Sequence, residues 1–190
     1  MTKEPALHPA GEAWTVEDLI QLPDDGNRYE IAHGSLLVTP PAAVRHGRAA
    51  HRLCQRLIAL APDELTATTV GIGIDFSDIS GGRSFYIPDI MVVPRTALDA
   101  DVDALQPADI VLAVEVLSPS NAGNDLILKR HDYAAAGIPN YWIVDPRAHT
   151  LTVLEHDGKS GYDEVATVKA GEPWRSDRPF PLEIDPADVT

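Results

Sequence analysis

The segment 110–117, Ile-Val-Leu-Ala-Val-Glu-Val-Leu, is the most apolar stretch of the chain. A short, near-continuous run rich in β-branched residues predicts a central strand covered on both faces. Covering both faces takes packed layers, so the run points to a sheet with helices against it. One residue in it is out of place. Glu115 lies between Val114 and Val116, and an unpaired carboxylate there is costly. A cation, a lysine or a pKa raised enough to keep it neutral must compensate.

The rest of the sequence supplies those layers. Residues 1–13 read as a flexible N-terminal tail, and residues 14–190 as a single domain. Thr15 is placed to cap a short helix. Arg28–Ala32 and Ser35–Thr39 form a hairpin signal around His33-Gly34. Residues 42–60 have helical period, with Ala50, Leu53, Cys54 and Leu57 on one side and Arg45, Arg48, Arg52 and Arg56 on another. Two strands are expected over 66–76 and 85–93, with the loop 78–82 between them and an acidic connector over 94–107. After the central strand, Ser118-Pro119-Ser120 is the break. Asn124 or Asp125 then caps a helix that runs to Ala136 and stops at Gly137 and Pro139. Strands at 141–144 and 150–155 make a hairpin, and further strands lie near 162–168 and 182–184. The fold class is α/β: a central mixed β-sheet flanked by helices, with additional β-hairpins.

Asp89 repeats the puzzle of Glu115, since it sits in Ile-Pro-Asp-Ile-Met-Val-Val. Two carboxylates on neighbouring strands repel unless a shared cation lies between them. Oxygen ligands with room for water suit Mg²⁺ or Mn²⁺. Lys129, one turn into the next helix, has a stem long enough to reach back over the strand end. Near a metal-bound water it can help position or deprotonate that water, and it can stabilise charge at phosphorus. Tyr133 follows four residues later on the same face.

Composition narrows the classes. Fifteen basic residues against 29 acidic ones give a formal charge of −14, which repels polyanions at long range. Nucleic-acid binding must then rest on a local basic patch or on metal ions. The arginines at 45, 48, 52 and 56 form the one organised basic stripe, so they are the candidate phosphate contacts. The single cysteine, Cys54, cannot form an internal disulfide. The first residues lack the apolar core of a secretory leader, and no apolar run approaches the ~20 residues of a membrane span. A cytoplasmic protein is the expectation. No phosphate-binding glycine loop is present, since Gly71-Ile72-Gly73 lacks the third glycine. Ser118 and Ser120 lack a nucleophile elbow, which sets acyl transfer aside.

An acid after proline in one strand, an acid in the next and then a lysine together resemble the PD-(D/E)XK nuclease superfamily. The local wording resembles its Uma-two family more specifically. It comprises Tyr29-Glu30-Ile31 with Gly34, the prolines before His46, Pro88-Asp89, Glu115 to Ser120, Asp125, Lys129, Tyr133, Gly137-Ile138-Pro139 and Tyr141 to Pro146. The resemblance implies a restriction-endonuclease-like fold and metal-dependent hydrolysis of nucleic acid, with DNA the expected substrate. It implies Asp89 and Glu115 as ligands of Mg²⁺ or Mn²⁺, Lys129 as the catalytic lysine and Glu30 as a further carboxylate. It adds His46 to the site, as a nucleic-acid contact beside the arginines, and makes a homodimer an expectation. The standard motif sets its lysine two residues after the acid. Leu117 stands there in this chain, so the role passes to Lys129.

Each residue also has a plainer reading. Glu115 and Lys129 can be a structural ion pair. Asp89 can be a turn residue, Glu30 an exposed cross-strand charge and His46 a capping residue. The arginine stripe can be a solvated face, and Tyr133 and Trp142 can be packing. On these readings the chain is a non-catalytic binding or assembly module on the same fold.

Overall fold

The computed structural model describes residues 11–190 apart from 70, 78, 80–82, 100–101 and 119–123, and without the side chains of 124–126. Most of the expected tail, most of the 78–82 loop, Pro119-Ser120, and the capping side chains of Asn124 and Asp125 lie outside the described residues.

The chain opens with α1 (Val16–Leu19), where the Thr15 side chain and Asp18 form a reciprocal capping box. The hairpin of β1 (Arg28–Ala32) and β2 (Ser35–Thr39) follows. His33 and Gly34 both take positive φ, 48° and 79°, as a type I′ hairpin turn demands. A Cβ on Gly34 would stand 2.8 Å from that of Ala13. Next come α2 (Val44–Leu60), β3 (Leu65–Thr68), β4 (Gly73–Asp75), β5 (Phe85–Tyr86), β6 (Ile90–Pro94), α3 (Arg95–Asp99) and β7 (Ala104–Leu105). A 3-10 turn at Pro107–Asp109 leads into β8 (Leu112–Val116) and α4 (Asn124–Ala135). The chain ends with β9 (Asn140–Asp145), β10 (Thr150–His156), β11 (Tyr162–Lys169), β12 (Trp174–Ser176), β13 (Leu182–Ile184) and α5 (Pro186–Val189). Among the described residues no helix is long and apolar enough to cross a membrane.

The strands form a six-stranded sheet, β11-β10-β9-β8-β6-β3, a five-stranded sheet, β2-β1-β5-β4-β7, and the small pair β12-β13. The six-stranded sheet is mixed: β8 and β9 are parallel and α4 crosses between them, while its other neighbours are antiparallel. Its two faces differ. One packs on α2 and is apolar, with Leu53, Leu57, Val114, Trp142 and Val153 fully or almost fully buried. The other packs on α4 and includes Tyr133, Tyr141 and Ala113. By the alternation of a strand, Glu115 falls on the α4 face with Ala113.

The two long strands expected over 66–76 and 85–93 are each divided. β3 and β4 belong to different sheets, and so do β5 and β6. The second division falls at Ile87–Asp89, where Pro88 has no N–H to give to a ladder. The first falls before Gly73, where β4 comes so close to β5 that a Cβ would lie 1.8 Å from Phe85 Cζ. The connector over 94–107 holds α3 and β7, and the C-terminal region adds β12 and α5.

Candidate functional site

Both sheets and both long helices deliver a polar side chain to one junction. In the antiparallel register Ile90 faces Val114. The next pair outward, Asp89 and Glu115, therefore stands side by side on one face. Asp89 occupies the step where the chain passes from β5 into β6. Its Oδ2 accepts from the Val116 amide at 2.8 Å, taking the place of a ladder carbonyl. From β1 come Arg28 and Glu30, two residues apart and so on the same side of the strand. Lys129 and Tyr133 come from α4, four residues apart on its buried face. His46 comes from the first turn of α2, beyond the edge of the apolar face.

The contacts are close and mostly dry. Lys129 Nζ donates to Glu30 Oε1 at 2.9 Å and to Glu115 Oε1 at 3.1 Å, with the lysine side chain 2% exposed. Glu115 Oε1 also accepts from the Tyr133 hydroxyl at 2.9 Å. Glu30 Oε1 takes the Ile87 amide at 2.7 Å, which ties β1 to the β5–β6 step. Asp89 Oδ1 accepts from Arg28 Nη1 at 2.6 Å. Asp89 Oδ2 lies 3.0 Å from His46 Nε2. Glu30 Oε2, Arg28 Nε and His46 Nδ1 are buried without a hydrogen-bond partner.

These surroundings push the two opposed carboxyls in opposite directions. Burial raises Glu115 to about 7; Lys129 works against that, while Asp89 and Glu30 add to it. Burial also opposes ionisation of Asp89, but the His46 hydrogen bond and the Arg28 charge outweigh it and bring Asp89 down to about 2. Burial disfavours the Lys129 ammonium, yet Glu115 and Glu30 hold it above the ordinary lysine range. Lys129 is therefore a fixed cation at neutral pH.

The cluster opens to solvent at Asp89. A cavity of about 240 Å³ lies between Pro40, Ala43, His46, Ser118, Arg28 and Asp89. A second, of about 290 Å³, is lined by Arg28, His46, His51, Thr69, Pro88 and Asp89. A third, of about 360 Å³, is lined by Arg45, His46, Ser118, Pro146 and Arg147 among others. The remaining arginines of the α2 stripe face elsewhere. Arg48 donates to the Thr190 carbonyl at 3.5 Å and Arg56 to that of Glu183 at 3.3 Å. Arg52 is exposed on the outer side of the helix.

An ion held here would draw on Asp89 and Glu115, hard oxygen donors of the kind Mg²⁺ and Mn²⁺ prefer. Among the described residues no three His, Cys, Asp or Glu side chains already surround one point. Water or phosphate would complete the shell, the usual habit of Mg²⁺. Glu30 Oε2, buried without a hydrogen bond and 3.7 Å from Arg28 Nε, is a further carboxylate oxygen in the same cluster. The donor set fits such an ion.

Of the residues singled out from the sequence, Glu30, His46, Asp89, Glu115 and Lys129 meet at this junction, and Arg45 borders it. Arg28 was not singled out. Its signal was available, since a basic residue two positions before Glu30 in a strand shares Glu30's face. Tyr133 is core packing, as its plainer reading has it, and its hydroxyl also serves Glu115. A second polar group lies behind Lys129. Tyr86, whose ring centroid is 5.6 Å from Lys129 Nζ, donates to Asp132 Oδ2 at 2.7 Å. His33 and His131 flank the same carboxylate at 3.0 and 3.1 Å.

The family model described as "Putative restriction endonuclease", Uma2, matches residues 16–189. A crystal structure from Anabaena variabilis ATCC 29413, described as "a putative nuclease belonging to DUF820", aligns with a TM-score of 0.67 at 17% identity. The alignment covers 93% of this chain and 97% of that one. At that identity the likeness speaks for the fold, which is the restriction-endonuclease-like α/β fold. A comparison with curated proteins finds no match. Because the family match takes in both sheets and every side chain of the junction, the chain belongs to the Uma2 family.

Proposed function

We propose that the chain is a Mg²⁺- or Mn²⁺-dependent endonuclease that hydrolyses phosphodiester bonds of nucleic acid, with DNA as the first substrate to test. The family and fold support a nuclease. The observation that carries the finer reading is the buried pair Asp89 and Glu115, side by side on adjoining strands, with Lys129 on Glu115, Arg28 on Asp89 and two cavities meeting at Asp89. A structural ion pair needs neither the third carboxylate nor the cavities.

Asp89 and Glu115 would hold the ion, with Glu30 close by. When bound there, such an ion would supply Lewis-acid charge for the scissile phosphate and for the attacking water. Lys129 lies between two of the carboxyls and donates to both Glu30 and Glu115. It orients Glu115 and Glu30 by hydrogen bonds and offsets the negative charge that gathers on the phosphate oxygens as the bond breaks. Tyr133 fixes the Glu115 rotamer from the core side. His46 holds Asp89 ionised and in place. Along the cavity below His46, Arg45 and Arg147 are the phosphate contacts closest to the junction. Arg48, Arg52 and Arg56 would meet only a longer stretch of backbone. Family match and contacts both favour residues 14–190 acting as one domain.

The test is cleavage of supercoiled DNA, single-stranded DNA and RNA with and without Mg²⁺ or Mn²⁺, by the wild type and by Glu115→Gln. Metal-dependent cleavage by the wild type, reduced by about 10³-fold or more in the variant, is the expected result. Full cleavage by a folded Glu115→Gln protein would contradict it. One observation favours a second reading, since both oxygens of Asp89 are already engaged by protein groups. A non-catalytic module on this fold predicts no cleavage of any of the three substrates and no metal binding.

A further inference from the structure

We propose that Arg28 is a displaceable stand-in cation: it occupies the open oxygen of Asp89 until a divalent ion takes that place, and the released guanidinium then turns onto a substrate phosphate. The proposal rests on the metal-dependent reading above and assigns a role to a residue outside the acid–lysine set.

The two cations of the cluster are held very differently. Lys129 is enclosed, with two donated hydrogen bonds of 3.1 Å or less and 2% side-chain exposure. Arg28 is 22% exposed and has one close carboxylate contact, Nη1 to Asp89 Oδ1 at 2.6 Å. Its other carboxylate neighbour, Glu30 Oε2, is 3.7 Å from Nε. Both of those atoms are buried and make no hydrogen bond. The fork that makes arginine a good carboxylate clamp is thus only half used. The remaining Nη1 contact, to the Ile87 carbonyl at 3.2 Å, is a weak tether. Arg28 also lines both cavities that meet at Asp89, so it has somewhere to go.

The charges require an exchange. Three carboxyls share this junction, and without an ion they need the Arg28 charge to lie together. A divalent ion on Asp89 would sit within a few ångströms of the guanidinium, where two like charges repel strongly at low effective dielectric. Asp89 Oδ2 is already committed to His46 and the Val116 amide. Oδ1, under Arg28, is the oxygen left for an ion. The planar guanidinium matches a phosphate bidentately, and the cavities into which it can swing are the solvent openings of the site.

The test is calorimetric Mn²⁺ titration of the full chain as wild type, Arg28→Gln and Arg28→Lys, with circular dichroism and thermal melting to establish folding. Removing the competitor should tighten Mn²⁺ binding by about tenfold or more in Arg28→Gln, with a smaller gain in Arg28→Lys, whose point charge grips Asp89 less well. At saturating Mn²⁺, Arg28→Gln should cleave more slowly than the wild type. Equal or weaker Mn²⁺ binding by the folded variants overturns the proposal while leaving the metal-dependent reading intact. Should Arg28→Gln not fold, Arg28→Lys decides in the same terms. Unchanged cleavage by Arg28→Gln overturns the phosphate half of the proposal. No Mn²⁺ binding by any of the three proteins overturns both this proposal and the reading beneath it.

Discussion

The two faces of the six-stranded sheet use the same strands for different ends. Against α2, Val114, Trp142 and Val153 meet Leu53 and Leu57 with no charged group among them. Against α4, one residue along from Val114, the same strand presents Glu115 to Lys129 and Tyr133. The first face stabilises by burying apolar area. The second gives up some of that gain, because a buried ion pair seldom matches a well-packed apolar contact. Apolar packing and the polar cluster are thereby separated by the alternation of a single strand.

Lys129→Met should break this contrast most sharply. It leaves Glu30 and Glu115 buried without their cation, which costs roughly 3–5 kcal/mol, and it should remove cleavage as well. Urea denaturation alongside an activity assay checks both. Adding Glu115→Leu to Lys129→Met should recover part of the stability but none of the activity. If the single variant is as stable as the wild type, the pair is not the charge clamp described above.

Leu53→Ala tests the other face. A cavity at this fully buried position costs about 2–5 kcal/mol, yet kcat at a temperature where the variant remains folded should match the wild type. A large fall in kcat would mean that the two faces are coupled.

The pH dependence of the metal-free protein is a smaller effect. Glu115 moves from an ordinary 4.5 to about 7 on folding. Between those values the folded state keeps a proton that the unfolded chain has lost. Stability therefore falls as pH rises through that window, by up to roughly 1.4 kcal/mol for each unit. Asp89 behaves oppositely: lowered from 3.8 to about 2, it contributes stability above pH 3.8 that is lost as pH falls towards 2. Glu115→Gln should flatten the upper slope and leave the lower one.

The sequence made Glu115 and Asp89 legible because each is a charge where the surrounding pattern has no room for one. The α2 face was legible from helical period, and the β1–β2 turn from a His-Gly pair suited to positive φ. The divisions of 66–76 and 85–93 were not. Local composition there is continuous, and which sheet a strand joins is decided by long-range pairing rather than by propensity. The residue that marks the second division, Pro88, belongs in sequence to the acid motif Pro88-Asp89 as readily as to a break. Arg28 escaped because basic residues at strand starts are common on exposed edges. Only its register beside Glu30 and the fold of β5 next to β1 bring it to Asp89. In the arginine stripe, helical spacing placed the four residues on one side of α2. It could not reveal that Arg48 and Arg56 turn to the C-terminal segment while His46 turns to Asp89.

The most direct test of the account is an anomalous-diffraction map of crystals soaked in Mn²⁺. A peak within coordination distance of both Asp89 and Glu115, with Lys129 still bonded to Glu115, is the predicted result. A protein that cleaves DNA with Mn²⁺ but carries its peak away from these two carboxylates would contradict it.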